Sequence, residues 1–221
     1  MDKLITDSDP VKNEISQKSN VFISVSETDL KEFVWIREPL AYHIVDNSLE
    51  VRSERGTNYF ISPADPSSVD ATGPIFCKEV FGDFVATTLV KPDFNGLWNA
   101  ASLMVYIDDK NWIKLAFENS DATGKSVVTV VTKDVSDDAN GVVLTDQDSV
   151  WLRIIRQGGV YGLHWSIDGK EFYKTRICKF LDRESVMVGL EAQCPVEDSG
   201  LHKFLFFSID QETTMNVWDG E

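Results

Sequence analysis

Apolar and polar residues alternate with a period of two along most of the chain, the spacing of half-buried β-strands. The clearest stretch comprises residues 97–108, 111–118 and 126–134. The polar step Asp108-Asp109-Lys110 separates the first two runs, and Asn119-Ser120-Asp121-Ala122-Thr123-Gly124 separates the second from the third. This spacing predicts three neighbouring antiparallel strands. In the middle strand Ile113, Leu115 and Phe117 share one face and form the core stripe, while Trp112, Lys114, Ala116 and Glu118 share the other. In the strand before it, Leu103, Val105 and Ile107 belong with the core, and Ser102, Met104, Tyr106 and Asp108 oppose them. Across residues 150–156, burial of Leu152 and Ile154 assigns Trp151 and Arg153 to that second face.

The rest of the chain follows the same rhythm. Strands are predicted at 21–25, 33–36, 57–61, 142–144, 171–177, 186–191 and 201–209. Residues 42–45 and 49–52 read as a hairpin about Asp46-Asn47-Ser48, and 75–80 with 84–90 as another about Gly82-Asp83. Residues 150–156 and 160–167 are joined by Gln157-Gly158-Gly159, read as a three-residue loop. The stretch 62–73, rich in proline, serine and aspartate, is the longest loop of the body and a candidate for function. Residues 1–18 read as a polar tail holding one short helical turn near 11–15. About a dozen short strands with almost no helical period predict an all-β sandwich of two antiparallel sheets. It is expected to occupy residues 19–215 as one domain.

Composition narrows the chemistry. The formal net charge is −15, from 36 acidic against 21 basic residues, and no basic stripe interleaves with aromatics. Such a field repels phosphate backbones and anionic lipid, so neither nucleic acid nor membrane is an expected partner. No loop has the D-x-[DN]-x-[DN]-G pattern of a calcium site. The three cysteines, Cys77, Cys178 and Cys194, contain no C-x-x-C pair and read as small core hydrophobes. With neither a calcium-loop nor a C-x-x-C pattern no metal is expected, and with no glycine-rich phosphate loop no cofactor is expected either. The first residues lack the apolar segment of a signal peptide, and a cytoplasmic setting is the expectation.

The second face would carry Met104, Tyr106, Trp112, Lys114, Glu118, Trp151 and Arg153. Aromatics that stack on sugar rings, beside charged groups that bond hydroxyls, suit a carbohydrate ligand. The plainer reading is a solvated face with cross-strand pairs such as Lys114 with Glu118. None of His43, His164 or His202 adjoins a nucleophile motif such as G-x-S-x-G. Glycoside hydrolysis needs two carboxyl groups flanking the bond. The string E-x-D-x-x-E is absent, Glu118 alone faces outward in the central strand, and a second acid would have to come from Asp108, Asp134 or Glu191. Asp108-Asp109 and Asp137-Asp138 read as turn residues.

These strands also carry a resemblance. Ala101-Ser102-Leu103-Met104-Val105-Tyr106-Ile107-Asp108, then Asn111-Trp112-Ile113-Lys114, Glu118, and the run from Val130 to Asp137 resemble the family of unknown-function domains that includes the yeast regulation-of-enolase protein. That family's pattern runs approximately A-G-L-M-V-R-I-D, N-W-I-K, E, V-V-T-R-D-x-S-D-W. Phe33 to Pro39, Leu152 to Arg156, Ser166-Ile167-Asp168-Gly169, and Val188-Gly189-Leu190 with Pro195 match its flanking pieces. The sequence departs from the pattern at Ser102, Tyr106 and Asp138, and has Thr57-Asn58-Tyr59-Phe60 where the family has T-D-x-W. The resemblance implies a concanavalin A-like jelly-roll sandwich and no catalytic residue. The leading expectation is a noncatalytic, lectin-like domain that binds a carbohydrate or glycan-like ligand. The alternative is a protein-interaction module regulating a metabolic enzyme, and a glycoside hydrolase comes third.

Overall fold

The computed structural model describes residues 20–23, 30–211 and 215–220. The tail expected at 1–18, with its helical turn, lies outside them. In chain order the strands are β1 (Val34–Ile36), β2 (Ala41–Val45), β3 (Ser48–Glu54), β4 (Tyr59–Ile61), β5 (Val69–Ala71) and β6 (Ile75–Phe81). There follow β7 (Phe84–Lys91), β8 (Ala100–Asp108), β9 (Asn111–Ser120), β10 (Gly124–Lys133) and β11 (Val135–Val143). The last five are β12 (Val150–Gln157), β13 (Val160–Ser166), β14 (Tyr173–Lys179), β15 (Ser185–Gln193) and β16 (Ser199–Asp210). The described residues contain no helix, and hence none long and apolar enough to cross a membrane.

Two seven-stranded antiparallel sheets result. The first has the order β1-β6-β15-β8-β9-β10-β11, the second β14-β13-β12-β7-β16-β3-β2, and β4-β5 form a separate hairpin. The three strands predicted at the centre, β8, β9 and β10, are adjacent and antiparallel. Ile113, Leu115 and Phe117 are fully buried and meet Leu152, Ile154 and Phe204 of the second sheet in one core. Alternating residues from both inner faces fill the space between the layers, as sandwich packing requires. The architecture is the all-β jelly-roll sandwich expected.

Several local expectations change. Residues 21–23 form a turn rather than a strand; Ser24 and Val25 lie outside the described residues. Phe22 is buried in the main core, and Asn20 Oδ1 accepts from the amides of Phe22 and Phe207. The hairpin β2–β3 turns through Asp46 and Asn47, with φ of 49° and 59°, the left-handed pair that matches strand twist in a two-residue loop. Gln157 pairs with Val160, so that loop also has two residues, not three. Edge strand β11 replaces the turn expected at Asp137-Asp138 and the short strand expected at 142–144. The stretch 62–73 is not all loop. Val69, Asp70 and Ala71 pair with Ile61, Phe60 and Tyr59, and this hairpin flap lies over the outer face of the first sheet.

Candidate functional site

The register of the first sheet sets out its outer face as a grid. Gln193, Ala100 and Glu118 lie in one row across β15, β8 and β9. The next row holds Glu191, Ser102, Ala116, Val128 and Asn140, and the one after it Gly189, Met104, Lys114, Val130 and Asp138. Ala100, Ser102 and Ala116 are small and fully buried, whereas the longer Lys114, Glu118 and Gln193 beside them reach a cavity. The flap covers one end, where Tyr59 stacks edge-on against Trp112 with ring centroids 5.5 Å apart. The open end is a cavity of about 400 Å3, whose lining includes Asn58, Phe60 and Asp70 of the flap, Trp98, Lys114, Glu118 and Gln193. Asp121, Asp138 and Asn140 complete its polar rim. The size falls within the range of small-molecule sites.

One polar network forms its floor. The Lys114 ammonium donates to the Tyr59 carbonyl at 3.1 Å and to Gln193 Oε1 at 2.9 Å. Gln193 Nε2 donates to the Trp98 carbonyl at 2.7 Å and to Glu118 Oε2 at 3.5 Å. Lys114 is only 2% exposed. It thus joins flap, sheet and rim through a single cation. Burial pushes the Glu118 carboxyl up to about 7, against the pull of Lys114 and with the push of Asp138 and Glu191. Burial likewise pushes Glu191 up to about 7, again opposed by Lys114. Neither Glu191 oxygen has a hydrogen-bond partner of ordinary geometry, and an added Cβ on Gly73 of the flap would stand 2.7 Å from Oε1.

These shifts set a pH dependence. A carboxyl raised in the fold favours the folded state while protonated, and that stability is lost as pH rises from about 4.3 through 7. Glu191→Gln is therefore expected to raise unfolding free energy by about 3 kcal/mol at pH 8 and leave it unchanged near pH 4. Urea unfolding of wild type and variant at both pH values measures this. The buried imidazoles of His164 and His202, which burial lowers to about 4, act oppositely in both proteins, since they lose stability as pH falls.

The rim residue Trp98 has φ of 60°, a region that non-glycine residues rarely adopt. Its amide donates to the Asn119 carbonyl at 2.8 Å, and its carbonyl accepts from Gln193. Two backbone bonds thus hold a half-exposed indole at the cavity mouth in a conformation it would not choose. Strain of this sort concentrates at ligand sites.

The expected site residues divide into three groups. Lys114 and Glu118 line the cavity. Met104 and Trp112 share their face but are fully buried beneath the flap, and Tyr106, half-buried, donates to Asp109 at 2.8 Å. They form a second apolar cluster with Tyr59, not an open surface, because the stretch expected as loop folds over them as the β4–β5 hairpin. Lys114 and Glu118 make no direct ion pair; Gln193 stands between them. Trp151 and Arg153 point outward as expected, but from β12 of the other sheet. There Trp151 packs on Phe206, while Arg153 lies 3.5 Å over the Phe172 ring and donates to the Gly220 carbonyl. They cannot share a site with Lys114.

Phe60, Asp70, Trp98, Asp121, Asp138 and Gln193 are among the lining residues that sequence reasoning missed. The departures in Thr57-Asn58-Tyr59-Phe60 and at Asp138 fall on this cavity. Ser53 Oγ lies 2.9 Å from His202 Nε2, which resembles part of a triad. However, His202 Nδ1 accepts from the Asp93 amide, so Nε2 carries the proton and cannot serve as base toward Ser53.

A model of the protein family of unknown function DUF1349 matches residues 35–212. Regulation of enolase protein 1 of Saccharomyces cerevisiae is 25% identical over 179 residues, covering 81% of this chain and 89% of that protein. The crystal structure of a functionally unknown protein from Saccharomyces cerevisiae superposes with a TM-score of 0.74 at 25% identity, over 81% of this chain and 96% of that one. The Lotus tetragonolobus seed lectin superposes with a TM-score of 0.55 at 10% identity, over 81% and 92% of the two chains, a likeness of fold alone. The sandwich is therefore concanavalin A-like, and the chain belongs to DUF1349, a family of unknown function.

Proposed function

We propose that the protein binds a carbohydrate or glycan-like ligand, without catalysis, in the cavity between the flap and the rim at Trp98. The observation that carries this reading is the pairing of a backbone-fixed, exposed indole with a buried lysine–glutamine–glutamate floor. An aromatic wall takes the apolar face of a sugar ring, and convergent polar groups take its hydroxyls. A second carboxyl group, Glu191, stands on the same face as Glu118. It is fully buried beneath Tyr59 and Gly73 and is not among the cavity's lining residues, so it does not serve as the opposing acid of a glycosidase.

Screening the folded protein against neutral and charged oligosaccharides, followed by calorimetry, tests this. Trp98→Ala is expected to weaken the best ligand about ten-fold, or about 1.4 kcal/mol. Absence of any saccharide binding would overturn the reading. The yeast relative's printed name favours a second one, a module that regulates a metabolic enzyme through a protein contact. It predicts a reproducible partner in pull-downs that Trp98→Ala still retains.

A further inference from the structure

The hydrogen-bond ledger of the cavity is one-sided. Both amide hydrogens of Gln193 are spent on Trp98 and Glu118, and those of Asn140 on Ser120 Oγ at 2.8 Å and Thr123 Oγ1 at 3.2 Å. Asn58 Nδ2 donates to Asp70 at 3.3 Å, and two of the three ammonium hydrogens of Lys114 are engaged. The donors are thus largely consumed within the protein. The acceptors are not. Four carboxyl groups, those of Asp70, Glu118, Asp121 and Asp138, line the cavity against the single cation Lys114. Among the described residues none of the four belongs to an ion pair.

Acidity on a surface is ordinary, but Glu118 is not on the surface. It is 7% exposed, lines the cavity and, among the described residues, receives one side-chain hydrogen bond, a long one of 3.5 Å. A buried carboxylate needs a nearby positive charge or donors to be tolerated. Lys114 supplies part of that, but it is shared with Glu191 and Asp138. The two aromatic walls, Trp98 and Phe60, also favour a cation over an anion. A bare metal ion fits poorly, because no three His, Cys, Asp or Glu side chains among the described residues converge closely enough to hold one. The acceptors are spread for a larger, multiply donating ligand.

We infer that the cavity selects a cationic amino sugar, whose ammonium group sits against the Glu118 carboxyl, with those of Asp121 and Asp138 spread along the rim, while its ring lies against Trp98 and Phe60. This rests on the carbohydrate reading and narrows it to one charge class. An acetylated amine would lose both the charge and two of the donors that the lining requires. A sugar acid would meet the acidic lining directly and is expected to be excluded.

The test is calorimetric titration of the whole chain at pH 7.2, where the sugar amines and the Glu118 carboxyl both carry substantial charge, with three probes: a glucosamine trimer with free amines, an N-acetylglucosamine trimer, and spermidine. The free-amine trimer is expected to bind at least ten-fold tighter than the acetylated one. Asp121→Asn combined with Asp138→Asn, both at exposed positions, should abolish that preference with an unchanged melting temperature. Equal or tighter binding of the acetylated trimer would overturn the inference and leave the carbohydrate reading standing. Spermidine bound as tightly as the free-amine trimer would support the cation preference and overturn the sugar. No heat from any probe would overturn the amino-sugar inference, while binding of a neutral saccharide in the screen would still uphold the broader reading.

Discussion

Lys114→Met is expected to destabilise the protein by roughly 3–5 kcal/mol at pH 8, the cost of leaving buried charge uncompensated. Methionine matches the length of the lysine stem, so packing is nearly retained and the loss reports on the ammonium. Its removal strands Gln193 Oε1 and the Tyr59 carbonyl, and leaves Glu118 and Glu191 with no buried cation beside them. Both carboxyls rise further when it is gone. Since they are neutral below their raised values, the deficit should grow as pH increases through 7 and be smallest near pH 5. Denaturant midpoints at pH 5, 7 and 8 measure this. A deficit independent of pH would show that Lys114 acts through its stem and not its charge.

Gly189→Ala is expected to cost at least about 3 kcal/mol or to prevent folding, at the upper end of the range for overpacking. Gly189 sits in β15 between Cys77 of β6 and Met104 of β8. A Cβ there would meet the Phe76 carbonyl oxygen at 2.2 Å and Cys77 Cα at 2.6 Å. Two of its three nearest neighbours are backbone atoms that no rotamer change can move. Relief requires β6 and β15 to separate, which breaks the ladder holding β1 and β6 to the rest of the sheet. Thermal melts read the effect. Gly82→Ala provides a contrast, because nothing lies within 4 Å there and only its φ of 66° opposes the change.

Alternation along a strand is a local property, so the core stripe Ile113, Leu115 and Phe117 and the opposite stripe Lys114 and Glu118 could be read from the sequence. Which sheet a strand joins is not local, and Trp151 and Arg153 face outward from the other layer. Two elements that build the cavity carry almost no pattern. Seven of the nine residues of β11 are exposed, so its Asp137-Asp138 looks like a turn. Polar edge strands read this way because only one flank is paired and few side chains are buried. The flap strand β5 has three residues, two of them exposed, inside a stretch rich in proline and serine. Glu191 was within reach: Val186, Val188 and Leu190 face the core, so parity puts Glu191 on the face of Glu118. What sequence alone could not supply is the neighbour order β15-β8-β9 that brings them near each other.

The bond from Lys114 to the Tyr59 carbonyl ties the flap's position to the charge state of the cavity floor. A second tether runs from the Ile61 amide to Ser136 Oγ at 2.9 Å, on the same strand as Asp138. A ligand that draws on Glu118 or Asp138 thereby alters how readily the flap lifts, and by thermodynamic reciprocity a flap held down alters the affinity. Exchange of the Ile61 amide with deuterated solvent is a direct gauge of that lifting. Its protection should change with occupancy of the cavity, while amides in the central strand β9 keep the protection of global unfolding. The short hairpin is then a reporter of binding as well as a wall of the site.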